Sequence, residues 1–282
     1  MPELPEVETV RRGLSPVMDG RTILSVQLNR PDLRFPLPPN FAGRLNGVRL
    51  ERLGRRAKFL VGELSSGEAL IMHLGMSGRF TISDGGQPGD FHHEIAPNPK
   101  HDHVIFHMEG GKTVTYNDPR RFGFMELWPL AQMETYPRLS GLGPEPLSNM
   151  FSHAWLNEAL KGKTGPIKSV LLDQRTIAGL GNIYVCEALY RSGISPRRRA
   201  NTVPGERAAR LTRAINDVIS EAIAAGGSSI SDFKAATGEL GYFQHSFSVY
   251  DREGQPCKTC GAPIRRIVQS GRSSFYCGSC QR

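Results

Sequence analysis

Four of the chain's five cysteines close the sequence, as Cys257, Cys260, Cys277 and Cys280 in the pattern C-x2-C-x16-C-x2-C. A two-residue gap lets each pair present both thiolates from one tight knuckle. The spacer between the pairs is long enough for a hairpin that brings the knuckles around a tetrahedral ion. Four thiolates leave no open coordination position, so one structural Zn2+ is expected, without a catalytic role. A segment this short has almost no core, and the metal largely folds it. A disulfide framework fits poorly, because five cysteines cannot pair completely and the opening MPELPEVETV has neither the basic nor the apolar region of an export signal. Cys186, alone in an apolar helical stretch, reads as a core residue.

The rest of the chain must supply its own core. At 282 residues it is long enough for two or three domains, and 39% hydrophobic with 22% charged residues is ordinary for a globular protein. No apolar run approaches the ~18–20 residues of a membrane span, so a cytoplasmic protein without a membrane partner is expected. Charge is uneven. Residues 1–134 carry 16 basic and 16 acidic side chains, 135–244 carry 13 and 9, and 245–282 carry 6 and 2. The whole excess lies in the second half, which suits a polyanion such as nucleic acid, although solubility charge gives the same count.

Between residues 20 and 130 the pattern is that of short strands. Leu24, Val26 and Leu28 alternate, KFLVGEL and ALIMHLGM flank SSGE, and HVIFHM and KTVTY flank EGG. Paired runs with Gly-containing turns predict an antiparallel sandwich or barrel. The Gly/Pro-rich stretch 83–100 reads as an inserted loop and 135–150, with three prolines, as a linker. The middle is helical: IKSVLLDQR leads into AGLGN, Asn182 stands where a helix cap belongs, and a longer helix after Pro204 puts Leu211, Ile215, Val218 and Ile219 on one face.

The N-terminus is unusual in starting a helix almost at once, with Val7, Val10 and Leu14 on one side and Pro5, Glu3, Glu6 and Glu8 suited to its positive end. A well-capped first helix explains this much. There is also a chemical reading. Loss of the initiator Met exposes Pro2 as a secondary amine, and an α-amino group of pKa about 7.7–8.0 is partly unprotonated at neutral pH. Such an amine attacks an aldehyde-like carbon and forms an iminium, an electron sink. Glu3, next to it, can move a proton.

MPELPEVETVRRG, RRAKFL, HLGMSG, KHDHV, NDPRRFG, GPEPL, GLGNIYVCEAL and the closing PCKTCGAPI…RSSFYCGSCQ occur in the order found in the formamidopyrimidine-DNA glycosylase family, which this chain resembles from residue 1 to 281. The related endonuclease VIII-like enzymes typically begin MPEGPE; Leu4 and PRRFG favour the purine-directed branch. Loop 83–100 is longer than that family's usual one. The resemblance implies an α+β multidomain protein: an N-terminal antiparallel β-sandwich with its leading helix (1–134), a linker (135–150), a helix–two-turn–helix DNA-binding domain (151–244) with a lesion-covering loop (228–243), and a zinc-ribbon hairpin carrying the four cysteines (245–282).

It also implies roles. Pro2 is the Schiff-base nucleophile and Glu3 the proton donor that helps open the sugar. Lys58 is the proton donor of β-elimination and Arg272 that of δ-elimination. His101, Arg120, Lys163 and Asn182 bind DNA, while Met76, Arg120 and Phe122 fill the hole left by the flipped nucleotide. The expected partner is double-stranded DNA carrying oxidised purines or abasic sites, and the expected state a monomer. Taken residue by residue, other readings remain: Lys58 in a solvated basic cluster with Arg52, Arg55 and Arg56, Arg272 as a turn residue, Phe122 in a core, and HHE…HDH as a second metal site. A zinc-ribbon DNA-binding module without catalysis is the alternative class, and the Pro2–Glu3 pair argues against it.

Overall fold

A computed structural model of the chain describes residues 2–83, 98–228 and 242–282. Most of loop 83–100 and of the segment 228–243, expected to cover the lesion, lies outside the described residues. The chain forms two compact units, residues 1–140 with 226–241 and residues 141–225 with 242–282.

Helix α1 (Leu4–Met18) opens the first unit, and its Val7, Val10, Leu14 and Met18 are buried at the spacing of one helical face. Then follow β1 (Arg21–Leu28), α2 (Phe41–Leu45), β2 (Val48–Arg56), β3 (Phe59–Leu64), β4 (Glu68–His73), β5 (Arg79–Ser83), β6 (Asp102–Met108), β7 (Thr113–Asn117) and β8 (Phe124–Pro129). Among the described residues these eight strands make one antiparallel sheet in the order β5-β7-β6-β1-β2-β3-β4-β8. Phe80 of the edge strand β5 and Met125 of the opposite edge β8 share one apolar cluster with Leu14, Leu53 and Val104. The expected sandwich is therefore a single sheet folded over one core.

Two details differ from the sequence reading. The pairing of β1 with β6 shifts register between Ile23 and Ser25, so Ile23 and Val26 face inward and Leu24 is 56% exposed. An extra residue at a bulge reverses which side chains meet the core, and simple alternation cannot foresee it. Asn182 is also not a helix cap. Gly181, extended, occupies that position, and Asn182 is the first helical residue.

The second unit holds α3 (His153–Leu160), α4 (Ile167–Leu171), α5 (Asn182–Arg191), α6 (Glu206–Ala224) and the hairpin β9 (Ile264–Gln269)–β10 (Arg272–Cys277). The inner face of α6 carries Leu211, Ile215, Val218, Ile219 and Ala222, all fully buried. Gly143 and Pro144 are packed: a Cβ on Gly143 would lie 2.4 Å from the Arg175 carbonyl oxygen. Cys186 joins Val249, Ile264, Phe275, Cys257 and Cys277 in a small cluster under the knuckles, in agreement with its reading as core.

Candidate functional site

In the first unit Pro2 and Glu3 are buried at the mouth of α1. Glu3 is the N-cap, and with Glu6 it closes a capping box; the Glu3 N–H donates to Glu6 Oε2 at 2.9 Å. The second Glu6 oxygen accepts from the Ser228 N–H at 2.8 Å and its hydroxyl at 2.9 Å. Pro2 is thus held at the end of a helix whose first turn is hydrogen-bonded on both sides. The capping partner Glu6 was legible as the residue three positions beyond the cap.

Lys58 is not a solvated surface cation: it is 8% exposed, in the turn between β2 and β3. Arg55, in the same cluster, pairs with Glu8 of α1 at 3.2 Å and donates to the Ala57 carbonyl at 2.9 Å. Glu8 also holds Arg11 and Arg12. Burial opposes its charge, but these guanidiniums outweigh it and lower the carboxyl pKa to about 2.

His73 received no role from the sequence. Burial, with the nearby charges of Lys58, Arg34 and Arg138, lowers its pKa to about 4. Its Nδ1 accepts from the Gly75 N–H at 3.0 Å, so the ring is neutral with its proton on Nε2, and it stacks on Phe124 at 5.3 Å. The HLG tripeptide is the only signal that could have suggested it.

His73 lines a cleft of about 480 Å³ with Met76, Arg120 and Phe122 on its rim. Met76 is 37% and Phe122 41% exposed, so Phe122 is not a core residue, and the Arg120 guanidinium stacks over its ring at 4.9 Å. The expected grouping of these three side chains is present in space. His101 is tied to the same loop through its backbone, its carbonyl accepting from the Asp118 N–H at 3.0 Å. His103 turns its ring to the Asp118 carbonyl at 2.9 Å, and Asp102 accepts from Asn117 at 2.7 Å. Among the described residues these groups form no metal cluster.

In the second unit the β9–β10 hairpin closes through Ser270 (φ 49°) and Gly271 (φ 72°), and exposed Arg272 is the first residue after the turn. Consecutive positive φ values make the turn tight and its tip well defined. Beneath it, Lys168 is fully buried and donates to the Ser273 carbonyl and the Ser274 hydroxyl, both at 2.7 Å. Asn182 donates to the same Ser273 carbonyl at 3.0 Å. Lys163 lies elsewhere, on a shallow cleft of about 520 Å³ with Trp155, Asp173 and Arg175.

The four sulfurs of Cys257, Cys260, Cys277 and Cys280 lie within 4.8 Å of one another. A tetrahedral zinc with Zn–S of about 2.3 Å requires S···S edges of ~3.8 Å. Cys257–Cys280 is 3.9 Å and Cys260–Cys277 is 3.5 Å, so the donor set fits one zinc ion. Burial disfavours the Cys257 thiolate, yet the Tyr190 hydroxyl and the backbone N–H groups of Cys260 and Thr259 favour it more and bring its pKa to about 6.

Three family models match in succession: the formamidopyrimidine-DNA glycosylase N-terminal domain over residues 1–125, the H2TH domain of the same enzyme over 142–234, and a zinc finger found in FPG and IleRS over 254–282. Helix-led folded sheet, helical module and four-cysteine ribbon together define a zinc-finger DNA glycosylase. Among similar proteins, formamidopyrimidine-DNA glycosylases of Ruegeria pomeroyi and Roseobacter denitrificans are 58% and 59% identical, with 100% of each chain covered. The MutM (Fpg) protein of Thermus thermophilus superposes with a TM-score of 0.86 at 40% identity, covering 99% of this chain and 98% of that one. The Lactococcus lactis Fpg in complex with abasic-site DNA gives 0.88 at 34% identity over 99% of both chains. The chain belongs to the formamidopyrimidine-DNA glycosylase family. No helix among the described residues is long and apolar enough to cross a membrane.

Proposed function

We propose that this protein is a bifunctional, monomeric base-excision repair enzyme that removes oxidised purines, formamidopyrimidines and 8-oxoguanine, from duplex DNA and then nicks the abasic site. The observation that carries the reading is the pair Pro2–Glu3, buried at a doubly anchored helix mouth. Family membership supplies the glycosylase activity, and relatives crystallised with abasic-site and Fapy-dG DNA supply the partner. A base inside the stack is out of reach, so the nucleotide is first everted.

The Pro2 nitrogen attacks C1′ as the N-glycosidic bond breaks, and Glu3 delivers the proton that opens the sugar. The resulting iminium acidifies a C2′ hydrogen. Loss of that proton expels the 3′ phosphate, with Lys58 as proton donor, and a further elimination assisted by Arg272 expels the 5′ phosphate. Water then releases Pro2 and the sugar fragment. His101, Arg120 and Lys163 bind the DNA, Asn182 contacts a phosphate, and Met76, Arg120 and Phe122 occupy the space the nucleotide leaves. Zinc, held by Cys257, Cys260, Cys277 and Cys280, supplies no chemistry; it fixes the hairpin that carries Arg272.

The test is borohydride trapping on a duplex with one 8-oxoguanine opposite cytosine, with the N-terminal mass read on the same preparation. A covalent adduct at Pro2 of protein lacking Met1 is expected. Trapping on an oxidised pyrimidine instead moves the enzyme to the other branch, and no trapping even on an abasic site removes the lyase. Glu3→Gln abolishes excision and leaves duplex affinity within a few-fold; wild-type excision by that variant rejects the role given to Glu3.

A further inference from the structure

The three side chains read as the wedge come from two separate loops, Met76 from the β4–β5 turn and Arg120 and Phe122 from the β7–β8 loop. One buried carboxylate ties those loops together. Asp118 has no exposed surface. Its Oδ1 accepts from the Ser77 hydroxyl at 2.5 Å and from the Arg120 N–H at 3.3 Å. Its Oδ2 accepts from the Gly123 N–H at 2.9 Å and from the Tyr116 hydroxyl at 3.2 Å. Ser77 follows Met76 directly, and Arg120 and Gly123 bracket Phe122. The Asp118 carbonyl takes the Arg121 N–H at 3.2 Å, in a loop where Arg121 has φ 53°.

We propose that Asp118 is the positioning residue of the wedge, holding Met76, Arg120 and Phe122 in one fixed constellation before DNA arrives. This rests on the reading of those three as the group that fills the vacated stack. Two lone-pair-rich oxygens facing four donors are satisfied only by a carboxylate. An asparagine of the same size turns its NH2 group either toward the Gly123 N–H, which then loses its acceptor, or toward Ser77 and Arg120, where the Ser77 hydroxyl must reverse to accept and the Arg120 N–H keeps only Ser77 Oγ at 3.2 Å. The loops also touch directly, since a Cβ on Gly75 would fall 2.3 Å from the Phe122 carbonyl carbon. A shift of one loop is therefore transmitted to the other. Preorganisation matters because wedge insertion offsets the unstacking cost only if the wedge needs no ordering of its own.

The experiment compares Asp118→Asn with unaltered protein on two substrates under single turnover. One is a duplex with 8-oxoguanine opposite cytosine and 2-aminopurine beside that cytosine, whose fluorescence reports wedge entry. The other is a single-stranded oligonucleotide with one abasic site, where there is no stack to fill. Duplex excision and the 2-aminopurine signal fall about tenfold or more, the loss expected for a buried hydrogen-bond pair left unmade, while single-strand nicking stays within about twofold. A loss equal on both substrates, or on neither, overturns the proposal. Should Asp118→Asn not fold, Ser77→Ala decides: it removes the hydroxyl that donates to Asp118 and accepts from the Arg120 N–H at 3.2 Å, and an unchanged duplex-to-single-strand ratio overturns the proposal. Phe122→Ala run in parallel separates the two readings. If Phe122→Ala leaves the 2-aminopurine signal intact, the wedge reading itself fails; if it abolishes the signal while Asp118→Asn keeps it, only the positioning role fails.

Discussion

Replacing Glu8 by Gln tests how α1 is fastened to the sheet. Glu8 accepts from Arg11 and Arg12 on its own helix and from Arg55 on β2, so one carboxylate bridges two elements. The drop of its pKa from 4.5 to about 2 corresponds at full strength to about 3 kcal/mol. Glu8 keeps 13% of its side-chain surface in water but Arg12 keeps 57%, and solvent screening reduces this to about 1–2 kcal/mol. The sign follows from the depressed value: the folded carboxyl stays ionised where the unfolded one has taken up a proton. The stabilisation is therefore complete above the unfolded pKa of 4.5 and falls to less than half by about pH 3, vanishing below about pH 2. Urea unfolding of both proteins at pH 7, 4 and 3, followed by circular dichroism, measures the gap. Wild type is expected to be the more stable at pH 7, with the difference shrinking steadily toward pH 3. A gap of the same size at pH 7 and pH 3 refutes the ion-pair argument and leaves packing as the only contribution of Glu8.

Cys277→Ser is expected to lose zinc, the fold of the ribbon and DNA binding together, read by metal content, melting and gel shift; nicking by metal-free protein contradicts that coupling. Gly123→Ala places a Cβ 1.7 Å from the Tyr116 hydroxyl and 2.7 Å from the His73 carbonyl, so it should cost about 1–3 kcal/mol in thermal unfolding. Adding Tyr116→Phe recovers part of this loss, and no recovery shows that the His73 backbone contact dominates. Duplex affinity should fall steeply with salt because several phosphates are neutralised by Lys and Arg; a flat response between 50 and 200 mM, where about a thousandfold loss accompanies six phosphate contacts, rejects the basic half as the DNA face.

The features readable from the sequence are those carried by short-range spacing. The cysteine pairs define their own knuckles, and four sulfurs at tetrahedral separations follow from C-x2-C repeated across a hairpin. The first helix declares itself through Val7, Val10 and Leu14, and the strands through paired apolar runs around glycine turns. The place of Glu3 at the mouth of that helix is legible in the acidic residue three positions further on, Glu6, which closes a capping box with it. The motif order sufficed to name the family.

What local spacing could not supply is which distant segment each group meets. The bulge that exposes Leu24 belongs to the pairing of β1 with β6, about eighty residues apart in sequence, and no run of six residues records it. Asn182 stands one position inside its helix and spends its amide on Ser273, the strand that bears Arg272. Lys168 looks like any helical lysine until the fold removes it from water and gives it the same strand as partner. Lys58 and Glu8 likewise acquire their electrostatics from neighbours brought by the sheet. Asp118, silent in the sequence except as part of NDPRRFG, becomes the junction of two loops only when Ser77 and Gly123 are placed around it. Periodicity encodes which face of an element is apolar; a buried charge finds its partners through the packing of elements, and that is decided only in three dimensions.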